Sequence, residues 1–187
     1  LKVNISKEID LDKTSFSFFA DKSDILLKNI LSEAGIFKIS DGDIKLKLSS
    51  GILLESNFKT NLKYDNKLKN YTSLIRDFKY GKNLINLEAD LSNSITINFD
   101  ETYKVKKYDY KASGKILKAN FNFEKPFENY FLSEKINQLS LIKMDVKTKF
   151  NSKKKTTDIS GKYSINKDVY LPFNLSTIFD SNLLNLK

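Results

Sequence analysis

The chain contains no cysteine, no histidine and no tryptophan, and only one of its 32 basic residues is an arginine, Arg76. Without cysteine there is no disulfide framework, no thiol nucleophile and no thiolate metal site. Without histidine, the Ser-His-Asp and Cys-His forms of catalysis are excluded, together with most zinc sites. No apolar run reaches the roughly 18 residues that a membrane-spanning helix needs. These absences exclude several common classes of enzyme before any motif is considered.

The carboxylates give no catalytic or metal-binding pattern. The pairs Asp41/Asp43 and Asp100/Glu101 fall at predicted turns, and turn conformation accounts for them better than a two-carboxylate hydrolase does. The segment 41–43 begins like a calcium-binding loop but lacks the later carboxylates and the closing glutamate. No phosphate-binding glycine loop or nucleophile elbow occurs. We therefore predict a protein that is not an enzyme and that uses no metal and no cofactor.

The net charge of +9 comes almost entirely from lysine, spread along the polar positions of alternating segments. Arginine is the residue that bidentate recognition of phosphate and guanine favours. Tyr103, Tyr108 and Tyr110 lie among lysines, a pattern that could bind single-stranded nucleic acid but that is also ordinary strand composition. We interpret the lysines as a solvated face. Contact with an anionic membrane surface or with nucleic acid stays open, and nucleic acid is the less favoured partner.

The segment from Phe37 to Tyr64 carries the clearest structural signal, an apolar residue at nearly every second position. A period of two is typical of a strand with one buried and one solvated face. Asp41-Gly42 suits a two-residue hairpin turn that would pair Ile39 with Ile44. The pattern predicts three antiparallel strands that share one continuous apolar face.

Two three-residue loops are predicted, each of which preserves the phase of the alternation. The first, 49–51, would place Leu48 opposite Ile52, and the second, 92–94, would separate two further strands. A less regular segment contains one more predicted strand around Leu74–Tyr80.

Two short helices complete the predicted elements. Residues 24–34 carry apolar side chains at helical spacing, with Ser23 or Asp24 placed to cap the start and Gly35 to end it. Residues 126–137 carry aromatic side chains at helical spacing behind Pro126, which predicts a second helix or an ordered loop.

Together these segments predict an all-β protein with minor α content, an antiparallel meander of about ten to twelve strands. The 187 residues are expected to form a single β-rich domain, 1–187, because no linker divides them. Since nearly every strand has one apolar face, the sheet is expected to form a twisted groove or half-barrel, or to close as a sandwich. The apolar residues at both ends lead us to expect a segment of a longer protein.

The stretches FKISDGDIKLKLSSGILLESNFKTNLKY and LINLEADLSNSITINF resemble the strand-turn-strand units of AsmA-like envelope proteins of the YhdP and TamB type. The likeness covers most of the chain from about Phe37 onward and rests on pattern and turn style. These proteins are similar in architecture to repeating β-groove lipid-transfer proteins. The resemblance implies a curved antiparallel sheet with an apolar inner surface, in a protein that moves phospholipid across the periplasm in outer-membrane biogenesis. Its inner-membrane anchor would lie outside this chain.

We therefore expect a non-catalytic lipid-binding and lipid-transfer segment in the periplasm or cell envelope of a Gram-negative bacterium. Its partners would be phospholipid or another acyl lipid, and other envelope proteins. The alternative is a closed-core β-domain of an envelope or surface protein, used as a structural element or for protein contact. The residues predicted to line the lipid groove are Ile44, Leu46, Leu48, Ile52, Leu54, Phe58, Leu62, Leu87, Leu91, Ile95 and Ile97.

Overall fold

The computed structural model describes residues 3–6, 9–48, 51–66, 81–128, 130, 134–166, 169–180 and 183–186. Almost all of the described residues lie in β-strands, and among them Gly81–Asn83 forms a 3-10 turn. The strands are β1 Val3–Ser6, β2 Ile9–Ala20, β3 Asp24–Ala34, β4 Phe37–Lys47, β5 Ile52–Asp65, β6 Leu84–Phe99, β7 Val105–Phe127, β8 Ile136–Asn151, β9 Lys154–Ile165, β10 Leu171–Asp180 and β11 Leu183–Leu186.

The eleven strands lie side by side in one sheet in the order of the sequence, and each neighbouring pair is antiparallel. This confirms the predicted all-β antiparallel meander and its number of strands. The strands β2 to β10 are long, and a strand of four residues lies at each edge. The sheet is open and uncurled. Within the part of the chain that the structure describes, an open face is therefore found rather than a sandwich, a half-barrel or a closed core.

The helix predicted over residues 24–34 is wrong, because this segment is strand β3. Leu27 pairs with Ile44, and the regular pairing with β4 resumes only at Ser32. Between these points Asn29 has a φ of 55°, which asparagine tolerates better than most residues. The irregularity shifts the alternation by one residue. The apolar side chains on one face of this strand are therefore not spaced by two residues throughout, and their spacing resembles that on one face of a helix.

The hairpin turn predicted at Asp41-Gly42 is also wrong, because β4 runs through both residues without reversing. In the pairing with β5 the register shifts between Ile39 and Asp41, so that Ser40 is an extra residue in β4. Such a bulge changes the phase of the alternation by one residue, as a two-residue turn would. A Cβ at Gly42 would lie 2.6 Å from Cδ1 of Phe58, so a larger residue there would require the Phe58 ring to move.

Strands β3 and β4 are instead joined by a two-residue turn at Gly35 and Ile36, with Ala34 opposite Phe37. Gly35 has a φ of 47°, a conformation that glycine adopts without steric cost. Gly35, which was predicted to end a helix, is therefore part of a hairpin turn.

The two predicted three-residue loops have different outcomes. In the pairing of β4 with β5, Leu46 opposes Leu54 and Lys47 opposes Leu53, which is the register that the loop at 49–51 implies. The loop predicted at 92–94 is wrong, because β6 is one continuous strand. A straight strand and a three-residue loop both preserve the alternation, so the period does not separate them.

The second predicted helix, over 126–137, is contradicted at both ends. Strand β7 continues to Phe127 and β8 begins at Ile136. Residues 129 and 131–133, between these strands, lie outside the described residues, as does the strand predicted around Leu74–Tyr80.

Candidate functional site

One face of the sheet carries the apolar side chains, and we call it the apolar face. Residues directly opposite one another on paired strands point to the same face. One such row runs across β3 to β7 and consists of Ile25, Leu46, Leu54, Ile97 and Tyr108. Register and alternation place all eleven residues predicted to line a groove on this face. Leu48 is exposed and the other ten are half-buried. That they contact lipid stays a prediction.

At one end of the apolar face the side chains form a core, which we call the packed field. Its buried members are Ile36, Tyr64, Leu84, Ala119 and Met144, and Phe37, Leu87, Ile116, Phe121, Leu141, Val146, Ile159 and Phe173 pack around them. None of the buried members is more than 7% exposed. Since full burial of a large apolar side chain contributes about 1.5–3 kcal/mol, this end supplies much of the stability of the sheet.

The other end of the apolar face is an open field, whose members are Ile25, Leu27, Ile44, Leu46, Leu54, Ile95, Ile97, Tyr108, Tyr110 and Phe150. All of them are half-buried, and the rings of Tyr110 and Phe150 lie 4.8 Å apart. At its margin Leu48 is 41% exposed and Val105 is 53% exposed. The open field therefore presents apolar side chains to which further apolar groups have access.

A row of polar side chains, which we call the polar band, separates the two fields. On β6, Asn93 Nδ2 donates a hydrogen bond to Thr60 Oγ1 at 3.1 Å, and Tyr110 Oη donates to Asn93 Oδ1 at 2.8 Å. On β8 and β9 the hydroxyls of Thr148 and Thr157 are hydrogen-bonded at 2.9 Å. Because these groups are already hydrogen-bonded to one another, removing them from water costs little free energy.

The apolar face changes the acidity of two tyrosines. Burial raises the pKa of Tyr64, in the packed field, and the nearby Asp65 carboxylate raises it further. Burial also raises the pKa of Tyr110, in the open field. Both phenols therefore stay neutral well beyond neutral pH.

The carboxylates at the turns have structural partners. Hydrogen bonds from the Thr102 hydroxyl and the Lys104 N–H lower the pKa of Asp100. Hydrogen bonds from the N–H groups of Ser23 and Asp24 lower the pKa of Asp21 in the same way. Among the residues described, no three acidic side chains lie close enough together to hold a metal ion.

The opposite face of the sheet carries most of the charged side chains, and we call it the lysine face. On its first strands several lysines pair with carboxylates. The distances from Nζ to oxygen are 2.6 Å for Lys45–Asp24, 2.7 Å for Lys47–Glu55 and 2.9 Å for Lys59–Asp41. Exposed pairs of this kind stabilise a fold by less than about 1 kcal/mol each, so they balance charge more than they add stability.

The sequence reading missed the contribution of β7 and β8 to the apolar face. Tyr108, Tyr110 and Phe150 continue the rows that Ile97 and Ile95 begin. The register shift beside Val105 moves the alternation from odd to even positions, which hid the continuity. The alternation beyond the shift was the signal that could have revealed it.

The chain matches no protein-family model, no curated protein and no solved structure. The resemblance to AsmA-like envelope proteins therefore stays a prediction. Of the two stretches that carry it, the first contains the paired strands β4 and β5, whereas the second is the single strand β6. No helix in the described ranges has the length and hydrophobicity to cross a membrane.

Proposed function

We propose that the open field binds the acyl chains of lipids and that the protein is a non-catalytic, lipid-binding and lipid-transfer segment of a bacterial cell-envelope protein. The observation that carries the proposal is an open sheet with a half-buried apolar field beside a separate packed core. Because the packed field supplies a core, the open field is available to bind a ligand without loss of the fold.

The exposed area supports this use of the surface. A compact monomer of 21.6 kDa exposes about 9,200 Å². This chain exposes 13,300 Å², an excess of about 4,000 Å² over that scaling. Exposed apolar patches on monomers seldom exceed a few hundred Å² unless they bind something. The excess is shared between the two faces of an open single-layer sheet, and its apolar part, on the open field, favours a surface that is covered in use.

Acyl chains fit the chemistry of the open field. Its side chains are aliphatic or aromatic, and its polar atoms at the edge toward the packed field are already hydrogen-bonded within the polar band. Each methylene removed from water contributes about 0.8 kcal/mol, so a chain with ten buried methylenes gains about 8 kcal/mol before ordering costs. No bond is made or broken. Transfer between membranes and the envelope location rest on the family resemblance.

Native mass spectrometry of the purified chain, with organic extraction of the same sample, tests lipid binding. The structure offers a matched pair of variants, Leu54→Asp in the open field and Leu53→Asp on the lysine face, both at half-buried positions of β5. We expect the native chain and Leu53→Asp to carry lipid at a reproducible ratio and Leu54→Asp to lose it while remaining folded. A folded Leu54→Asp chain with its lipid retained would contradict the proposal, as would a lipid-free native chain.

The alternative is that another protein covers the open field. Permanent protein interfaces bury about 2,000–5,000 Å² over both partners, or about 1,000–2,500 Å² on each, which the excess area is large enough to supply. The same mass measurement separates the two functions, because this alternative predicts a protein complex without extractable lipid.

A further inference from the structure

The net charge of the protein is concentrated in one part of the chain. Residues 1–100 contain 15 basic and 14 acidic residues, whereas residues 101–187 contain 17 basic and 9 acidic residues. The second part therefore carries +8 of the total charge of +9.

Part of this excess lies on the lysine face of β7 to β9, where Lys111, Lys115, Lys118, Lys147, Lys149 and Lys162 outnumber the acidic residues Asp109, Asp145 and Asp158. Each of these lysine side chains is exposed. Within the described ranges, none of their ammonium groups lies within 4.0 Å of a carboxylate oxygen. Lys111 and Lys149 are directly opposite each other, an arrangement of like charges that destabilises a sheet. An anionic partner would remove this repulsion.

The same surface has a shallow concavity of about 480 Å³ where the lysines meet small side chains. Lys111, Lys147 and Lys149 stand at one end, and Ser94 and Ser113 lie beside them. Ammonium groups and hydroxyls are the donors that a phosphate group accepts from. The acidic residues at the far end are already engaged: Lys59 pairs with Asp41, and Asp43 accepts a hydrogen bond from the Asn29 N–H at 3.2 Å.

The kind of partner follows from the other side chains. A single-stranded nucleic acid needs aromatic rings beside the positive charges. Tyr108 and Tyr110 lie on the apolar face, on the side of β7 opposite to Lys111 and Lys115. Lysine is depleted at protein interfaces, where aromatic residues, Met and Arg are enriched. A flat array of lysines instead suits a planar surface of phosphate headgroups.

We propose that the lysine face of β7 to β9 docks on the surface of a membrane rich in anionic phospholipid. The proposal is independent of acyl-chain binding, because it uses the opposite face of the sheet. Docking of this kind is electrostatic, so it weakens as salt is added.

Vesicle co-sedimentation tests the docking surface. We expect the protein to bind vesicles of equal parts phosphatidylcholine and phosphatidylglycerol at low salt, and not vesicles of phosphatidylcholine alone. Each lysine near such a surface strengthens binding about fivefold. The variant Lys111→Gln/Lys147→Gln/Lys149→Gln is therefore expected to bind about a hundredfold more weakly.

The matched control is Lys38→Gln/Lys45→Gln/Lys63→Gln, which removes the same charge from lysines that lie outside the concavity and are paired with Glu33, Asp24 and Glu88. We expect it to bind nearly as well as the native chain. An equal loss in the two triple variants would overturn the proposal, since binding would then follow net charge alone. Equal binding to both kinds of vesicle, or tighter binding to a single-stranded oligonucleotide at the same salt, would overturn it as well.

Discussion

The packed field and the open field occupy the same face of the same sheet and are built from the same kinds of residue, but they differ in burial. Tyr64 and Met144 in the packed field are 5% and 3% exposed, whereas every member of the open field is half-buried. Both fields follow the same alternation, so sequence period alone does not distinguish them. The difference indicates that the packed field stabilises the fold, whereas the apolar side chains of the open field stay accessible.

The largest expected effect comes from placing the same charge in each field. A buried, unpaired carboxylate costs several kcal/mol, so Met144→Asp is expected to lower the free energy of unfolding by about 3–5 kcal/mol. Leu48→Asp, at the exposed margin of the open field, is expected to cost less than about 1 kcal/mol. Urea denaturation followed by circular dichroism measures both. Similar losses in the two variants would show that the open field is also part of the core.

A second comparison uses two glycines on the apolar face. A Cβ at Gly114 would lie too close to the backbone carbonyl oxygen of Asp90 and 2.9 Å from the Cα of Leu91, whereas at Gly42 the closest neighbour is the Phe58 ring. A side chain can rotate away, but paired backbones cannot. We expect Gly114→Ala to cost about 1–3 kcal/mol, the range of overpacked sites, and Gly42→Ala to cost less. Equal urea midpoints for the two variants would contradict this reading of the packing.

Much of the architecture was predictable because alternation reports which side chains share a face. The antiparallel meander and the common face of the eleven candidate residues follow from it. Alternation does not report where the chain reverses. A bulge at Ser40 and a two-residue turn both change the phase, and a straight β6 and a three-residue loop both preserve it. Strand length therefore had to be assumed, and typical strands are shorter than these.

The candidate site was predictable only in part, for the same physical reason. The list of lining residues stopped at Ile97, because the phase change near Val105 concealed the contribution of Tyr110. The polar band was missed because its bonds join strands that are far apart in sequence, such as Thr60 to Asn93. Division of the face into a packed and an open field depends on the assembled sheet, which no local pattern encodes.

The smallest expected effect is on alkaline stability, where each field contributes one tyrosine with a raised pKa. Burial raises the pKa of Tyr64 and of Tyr110 above the ordinary value of about 10. Above that pH the unfolded chain has released protons that the folded chain still holds, so stability decreases as the pH rises from about 10 toward the folded values. We expect Tyr64→Phe and Tyr110→Phe each to flatten this decrease.

Tyr110→Phe also removes the hydrogen bond to Asn93, at a cost of about 1 kcal/mol that is present at neutral pH as well. Urea midpoints measured from neutral to strongly alkaline pH separate the two effects, because only the slope reports the titration. Unchanged slopes in both variants would mean that neither phenol is shielded from water by the apolar face.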